Sequence, residues 1–160
     1  VTDIRARPLD AAAFAPFGQV IAAAGAPDVW INGGRCGRFH DLAPPDIVDG
    51  RAGISLFQTS LTALPYSFDM VERHPRGSQA FLPMSHDGFL VIVAPDTGGT
   101  PGQPLAFLTA PGQGVSIGRG VWHGVLTALT GSGLFAVVDR VGPGPNLEEF
   151  RLTGSYRVVR

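Results

Sequence analysis

The sequence predicts a mainly β-stranded chain, a compact antiparallel barrel or jelly roll with short flanking helices, and three observations lead there. Glycine (22) and proline (14) are plentiful among 160 residues, as many short strands joined by tight turns require. Extended segments recur with turn residues between them, such as Gly98-Gly99-Thr100-Pro101-Gly102 and Gly131-Ser132-Gly133, at the spacing of a sandwich or barrel. Beyond the first few turns no stretch keeps a helical apolar period, except Asn146-Leu147-Glu148-Glu149-Phe150.

In chain order, Asp10 offers an N-cap to the alanine-rich stretch Ala11-Ala12-Ala13-Phe14, which Pro16 and Gly18 close after a turn or two. Strands are then expected over 19–22, 36–42, 53–60, 66–74, 79–84, 88–95, 104–109, 114–117, 120–129 and 133–141, with a short helix at 146–150. The run Phe89-Leu90-Val91-Ile92-Val93-Ala94 is too short to cross a bilayer and reads as a buried strand. Neither an internal repeat nor a linker divides the chain, so one domain over 1–160 is expected.

Composition excludes several functions. The net charge of −1, with both signs interspersed, offers no field to gather nucleic acid or a membrane surface. Cys36 is the only cysteine and no signal-like segment opens the chain, which fits a reducing cytoplasm. All twelve basic residues are arginine, so lysine Schiff-base, PLP and Walker-lysine chemistry is absent, and no organic cofactor is expected.

Four places hold residues that can carry chemistry. Glu72 and His74, two apart on an extended strand, share one face, with Arg73 on the other; Pro75 and Gly77 end the strand and bring Gln79 back on the next. Such a pair is either a solvated surface feature or part of a site. His123 follows Trp122 in a glycine-punctuated stretch, either as a satisfied core residue or as the member that completes a two-His, one-carboxylate set with Glu72 and His74. Arg38 and His40 alternate onto one strand face and either stand at a barrel rim or grip a carboxylate with the guanidinium fork. Asp139-Arg140, ending an apolar strand, reads as a structural ion pair, Cys36 as a small buried thiol and His86 as a turn residue in Ser85-His86-Asp87-Gly88.

Two nested resemblances follow from these residues. The stretch from Gly112 to Thr127 resembles the second cupin motif, with His123 at a ligand position, Gly118 in place of its proline and Thr127 in place of its asparagine. Glu72, His74 and Gln79 stand where the first cupin motif carries two histidines and a glutamate. More closely, nearly the whole chain resembles the ureidoglycolate lyase family of the purine-catabolic allantoin pathway, in the order Phe14 to Ile21, Trp30-Ile31-Asn32-Gly33-Gly34, Arg38-Phe39-His40-Asp41-Leu42, Glu72-Arg73-His74-Pro75, Gln79-Ala80-Phe81-Leu82-Pro83-Met84, Val121-Trp122-His123 and Asp139-Arg140. The chain departs from that family at Gly118, Gly124 and Val125, where histidine or proline can occur.

The resemblance implies a cupin-like barrel, a homodimer, and a lyase that cleaves the hemiaminal ureidoglycolate to glyoxylate and urea. It implies His74 and His123 as acid and base with Glu72 beside them, Gln79 on the urea group, and Arg38, His40 or Arg140 on the carboxylate. A divalent metal such as nickel, if held, would take His74, Gln79 and His123 as ligands. Two other readings remain open: a metal-dependent cupin isomerase or dioxygenase acting on a small carboxylate, and a non-catalytic module that binds a small acid.

Overall fold

The computed structural model describes residues 1–86 and 88–160, and within them the chain is almost entirely β. One sheet runs in the order β1 (Thr2–Arg5), β15 (Glu148–Val159), β7 (Tyr66–Arg73), β12 (Trp122–His123), β9 (Phe89–Ala94), β10 (Leu105–Leu108) and β2 (Arg7–Pro8), with β13 (Thr127–Ala128) also on β9. The second runs β3 (Gly18–Ile21), β11 (Gly114–Ile117), β8 (Gln79–Pro83), β14 (Leu134–Val141) and β6 (Arg51–Gln58). A hairpin of β4 (Val29–Ile31) and β5 (Cys36–Arg38) stands apart as its own two-stranded sheet.

The larger sheet curls nearly shut through the N-terminus. β1 pairs parallel with β15 and β2 pairs parallel with β10, and Ala6 alone separates them, its N–H donating to Val159 O at 2.8 Å. A single extended segment thus bridges the two edges of the sheet and leaves it nearly closed. Every other strand pair is antiparallel.

This closure explains why β9 is apolar at every position. Phe89, Val91 and Val93 face the second sheet and join Phe81, Val115, Phe135 and Val137. Leu90 and Ile92 face into the curled sheet with Ile4, Ala106 and Val158. A strand buried on both faces loses the period-two alternation of a half-exposed one.

Local expectations mostly hold. Asp10 caps the one α-helix among the described residues, α1 (Ala11–Phe14), accepting from Ala13 N at 2.9 Å. The helix expected at 146–150 is instead the start of β15: Glu148 pairs in register with Arg73, and Phe150 packs edge-on against Trp122. Cross-strand pairing there outweighs a weak local helical period. The expected strand 120–129 is split into β12 and β13, because the Gly124 N–H still bonds to Ile92 O while Val125 turns out to solvent. Asp87, part of an expected turn, lies outside the described residues.

Phe107 is fully buried and meets Phe14 edge-to-face at 5.7 Å between ring centroids, under the Arg7 guanidinium. Phe107→Ala is expected to cost about 3–5 kcal/mol of unfolding free energy, read from urea denaturation.

Candidate active site

Strand alternation builds the site. His123 lies in register with Glu72 of β7 on one side and with Val93 of β9 on the other. Val93 belongs to the core between the sheets, so Glu72 and His123 face that interior, and His74, two residues past Glu72, follows them. β7 ends at Arg73, before Pro75, and the Gly120 N–H donates to His74 O at 2.9 Å, which anchors the histidine just beyond the strand. From the opposite sheet, Gln79 pairs with core residue Ile117, and Asp139 lies two residues past fully buried Val137; both therefore face inward as well.

The two imidazoles sit 5.2 Å apart between ring centroids. One ligand atom from each of Glu72, His74 and His123 falls within 4.8 Å of the others. His74 Nδ1 lies 2.8 Å from Asn146 O, and His123 Nδ1 lies 2.9 Å from Gly124 O. A carbonyl oxygen can only accept, so each Nδ1 carries the hydrogen and each Nε2 presents a lone pair in the neutral ring. Both Nε2 atoms are buried without a protein partner, as is Gln79 Oε1.

Burial sets the charges. His123 is 1% exposed, and desolvation, reinforced by neighbouring His74 and opposed by the Gly124 carbonyl, lowers its pKa to about 4. Burial also raises Glu72, with a further push from Glu149, its cross-strand neighbour on β15, against a pull from His74. The interior thus disfavours charge on both groups.

The opposite face of the same strands, the face that carries Ile92 and Ala94, holds a polar staple around buried Trp122. Trp122 Nε1 donates to Asp96 Oδ1 at 2.9 Å, and the Arg73 guanidinium lies 4.3 Å over the indole ring while pairing with Asp96 and Glu148. Asp96 is held below the usual carboxylate range by the Gly99 N–H first, then by Trp122 and Arg73. Arg73 and Trp122 alternate with the site residues, so holding them on the opposite face orients Glu72, His74 and His123.

Not all sequence candidates converge here. β5 ends at Arg38; Arg38 and His40 are exposed on the hairpin side, with the His40 N–H donating to Asp28 Oδ2 and Asp41 turning at φ 49°. Arg140 donates from Nε to Val48 O and from Nη2 to Asp49 O and Pro143 O, and so ties two loops together. The expected Asp139–Arg140 ion pair is absent among the described residues: consecutive strand residues point to opposite faces, and Asp139 instead accepts from Gln79 Nε2 at 3.1 Å. Cys36 is exposed rather than buried, because β5 belongs to the outlying hairpin.

Asn146 and Asp139 escaped notice as site residues. Their contacts span 72 and 60 positions, and nothing in their local sequence announces them. The departure at Gly124 has a packing reason: a Cβ there would meet Ile92 Cβ at 3.0 Å, on the side away from the histidine pair.

Comparison with known proteins gives a consistent result. The family model for ureidoglycolate lyase matches residues 1–159. A ureidoglycolate lyase of Rhodobacter capsulatus is 58% identical over 146 residues, covering 91% of both chains. One of Mesorhizobium japonicum is 49% identical over 160 residues, covering 99% of this chain and 98% of the relative. Ureidoglycolate lyase 2 of Rhizobium meliloti is 49% identical over 154 residues, 95% and 94% of the two chains.

The buried histidine links stability to pH. Because the His123 pKa falls from 6.5 to about 4 on folding, the unfolded chain binds more protons between those values. Its contribution is complete above pH 6.5 and is lost as pH falls to 4, an effect of about 3 kcal/mol. The raised Glu72 acts with the opposite sign, favouring the folded state at low pH. His123→Gln is expected to flatten the acid limb of stability, measured as urea midpoints from about pH 7 down to about pH 4.

Proposed function

The chain belongs to the ureidoglycolate lyase family, and on that footing we propose that it cleaves ureidoglycolate to glyoxylate and urea as a carbon–nitrogen lyase. The observation that carries the reading is the pair of imidazoles with buried, unpartnered Nε2 atoms beside a carboxyl group whose pKa burial raises.

The reaction needs one proton removed and one delivered. His74 Nε2 takes the hemiaminal hydroxyl proton; the C–O bond becomes the glyoxylate carbonyl as the C–N bond breaks and its electron pair moves to nitrogen. Glu72, whose hold on a proton burial strengthens, gives that nitrogen a proton, and urea leaves; His74 then returns its proton to Glu72. Each transfer is worth roughly two to four powers of ten in rate. His123, uncharged at neutral pH, accepts a hydrogen bond from the substrate rather than supplying a proton. Gln79 faces the urea group, whereas Arg38 and His40, exposed on the outlying hairpin, stand apart from these residues and are given no part in holding the substrate. Arg140, with three hydrogen bonds already made to loop carbonyls, serves this site by holding the loops.

The same inward-facing residues favour a second reading. Glu72, His74 and His123, with Gln79 Oε1 also inward-facing and unpaired, suit a divalent cation such as nickel, which when bound would polarise the substrate's hydroxyl or carboxylate oxygen. The lone pair on His74 Nε2 serves only one of these uses at a time.

We take residues 1–160 as one cytoplasmic domain, consistent with a family match over 1–159 and with β1 pairing to β15. Homodimer formation is supported by the outer face of the second sheet, where Ile54 (79% exposed) and Leu56 (64%) project from edge strand β6. Nearby on that face, Leu82, Phe39 and Leu42 line a cavity of about 300 Å³.

Four measurements test these assignments. Purified protein given racemic ureidoglycolate is expected to release glyoxylate and stoichiometric urea, without ammonia, above the spontaneous rate. His74→Asn and His123→Asn are each expected to lower kcat at least about 100-fold with the fold retained. Binding of small acids without turnover would replace the lyase by a binding module. Prior chelation decides between the proton-transfer and metal readings: activity lost on chelation and restored by nickel favours the metal. Leu56→Asp is expected to shift the protein from dimer to monomer in sedimentation velocity.

A further inference from the structure

We propose that Asp139 is a positioning residue that fixes which end of the Gln79 amide faces the substrate. The inference rests on the lyase reading and deepens it, because it names the group that recognises the ureido end.

Gln79 is 6% exposed, and its Nε2 donates to Asp139 Oδ2 at 3.1 Å. A carboxylate only accepts, so turning the amide over would set two oxygens against each other. The amide is therefore locked with Nε2 toward Asp139, and Oε1 is left buried with no partner in the protein. An orphan acceptor of this kind is costly in an interior and marks a place where a ligand is meant to complete it.

Across the interior, the Nε2 atoms of His74 and His123 are unpartnered acceptors too. Gln79 Oε1 adds an acceptor from the opposite sheet, and the inward groups then match a ligand rich in donors. The ureido group supplies N–H donors on both nitrogens, and the neighbouring hydroxyl supplies one more. Asp139 would select that end of the substrate without touching it.

The orientation can be reversed and then restored. In Asp139→Asn the new amide N–H can donate to Gln79 Oε1, which lets the Gln79 NH₂ turn inward. In the swap Gln79→Glu with Asp139→Asn, total charge is conserved: the carboxylate now at position 79 accepts from the amide now at position 139 while keeping an oxygen inward. Binding is measured by calorimetry in chelated buffer with two uncleavable acids: hydantoate, which carries the ureido group, and glycolate, which does not.

The expected result is hydantoate binding weakened about tenfold in Asp139→Asn, glycolate within about twofold of wild type, and hydantoate binding regained in the swap. Equal weakening of both acids, an unchanged hydantoate affinity, or a swap that fails to recover would overturn the proposal. A second readout is independent of activity. The Gln79 side-chain NH₂ resonance, assigned by its absence in Gln79→Glu, should be shifted and slow to exchange in wild type and move in Asp139→Asn. If wild type binds neither acid and releases no urea, the lyase reading fails while this resonance still decides the Asp139 role; an identical resonance in both proteins would refute it.

Discussion

His123 stands opposite Glu72 on one neighbour and Val93 on the other, across a strand only two residues long. A strand that short contributes few ladder hydrogen bonds, so its register depends on what grips its side chains. Trp122 is held on one face by Asp96 and Arg73, while His123 is held on the other by the Gly124 carbonyl. A slip of one residue would exchange the two and put an indole where the imidazole belongs. Register at this point decides whether there is a site at all.

The inward residues share an electrostatic character. Each imidazole donates its Nδ1 hydrogen to a backbone carbonyl and presents Nε2 to the interior, and Gln79 gives its amide hydrogen to Asp139 and presents oxygen. Low exposure then keeps His123 neutral and raises the pKa of Glu72. Desolvation, the force that excludes water from the core, is thus also the force that strengthens the hold of Glu72 on a proton and lowers the pKa of His123. Leaving buried acceptors unpaired lowers stability, and the two apolar cores around β9 supply the burial that offsets it.

The two sheets divide the work. The curled sheet, closed through the N-terminal strands, holds Glu72, His74 and His123 on adjacent strands where pairing sets their spacing. The second sheet brings Gln79 and Asp139 from the other side, and its outer face remains apolar at Ile54 and Leu56. Loops complete the frame: Asn146 O accepts the His74 hydrogen, and Arg140 ties the carbonyls of Val48, Asp49 and Pro143 together.

Much of this was legible in the residues. The β class, most strand positions, the Asp10 cap, and the shared face of Glu72 and His74 all follow from period-two alternation and turn chemistry, which are local. The helix expected at 146–150 failed because its evidence was local while β15 is stabilised by pairing with β7, far away in sequence. The same limit hid Asn146 and Asp139, whose partners lie 72 and 60 positions off, and made Asp139 look like a partner for Arg140. Chain order alone told which residues alternate together and what chemistry they bring. Which faces meet, and which buried atoms go unpaired, emerged with the folded sheets, because both depend on contacts between strands that chain order does not encode.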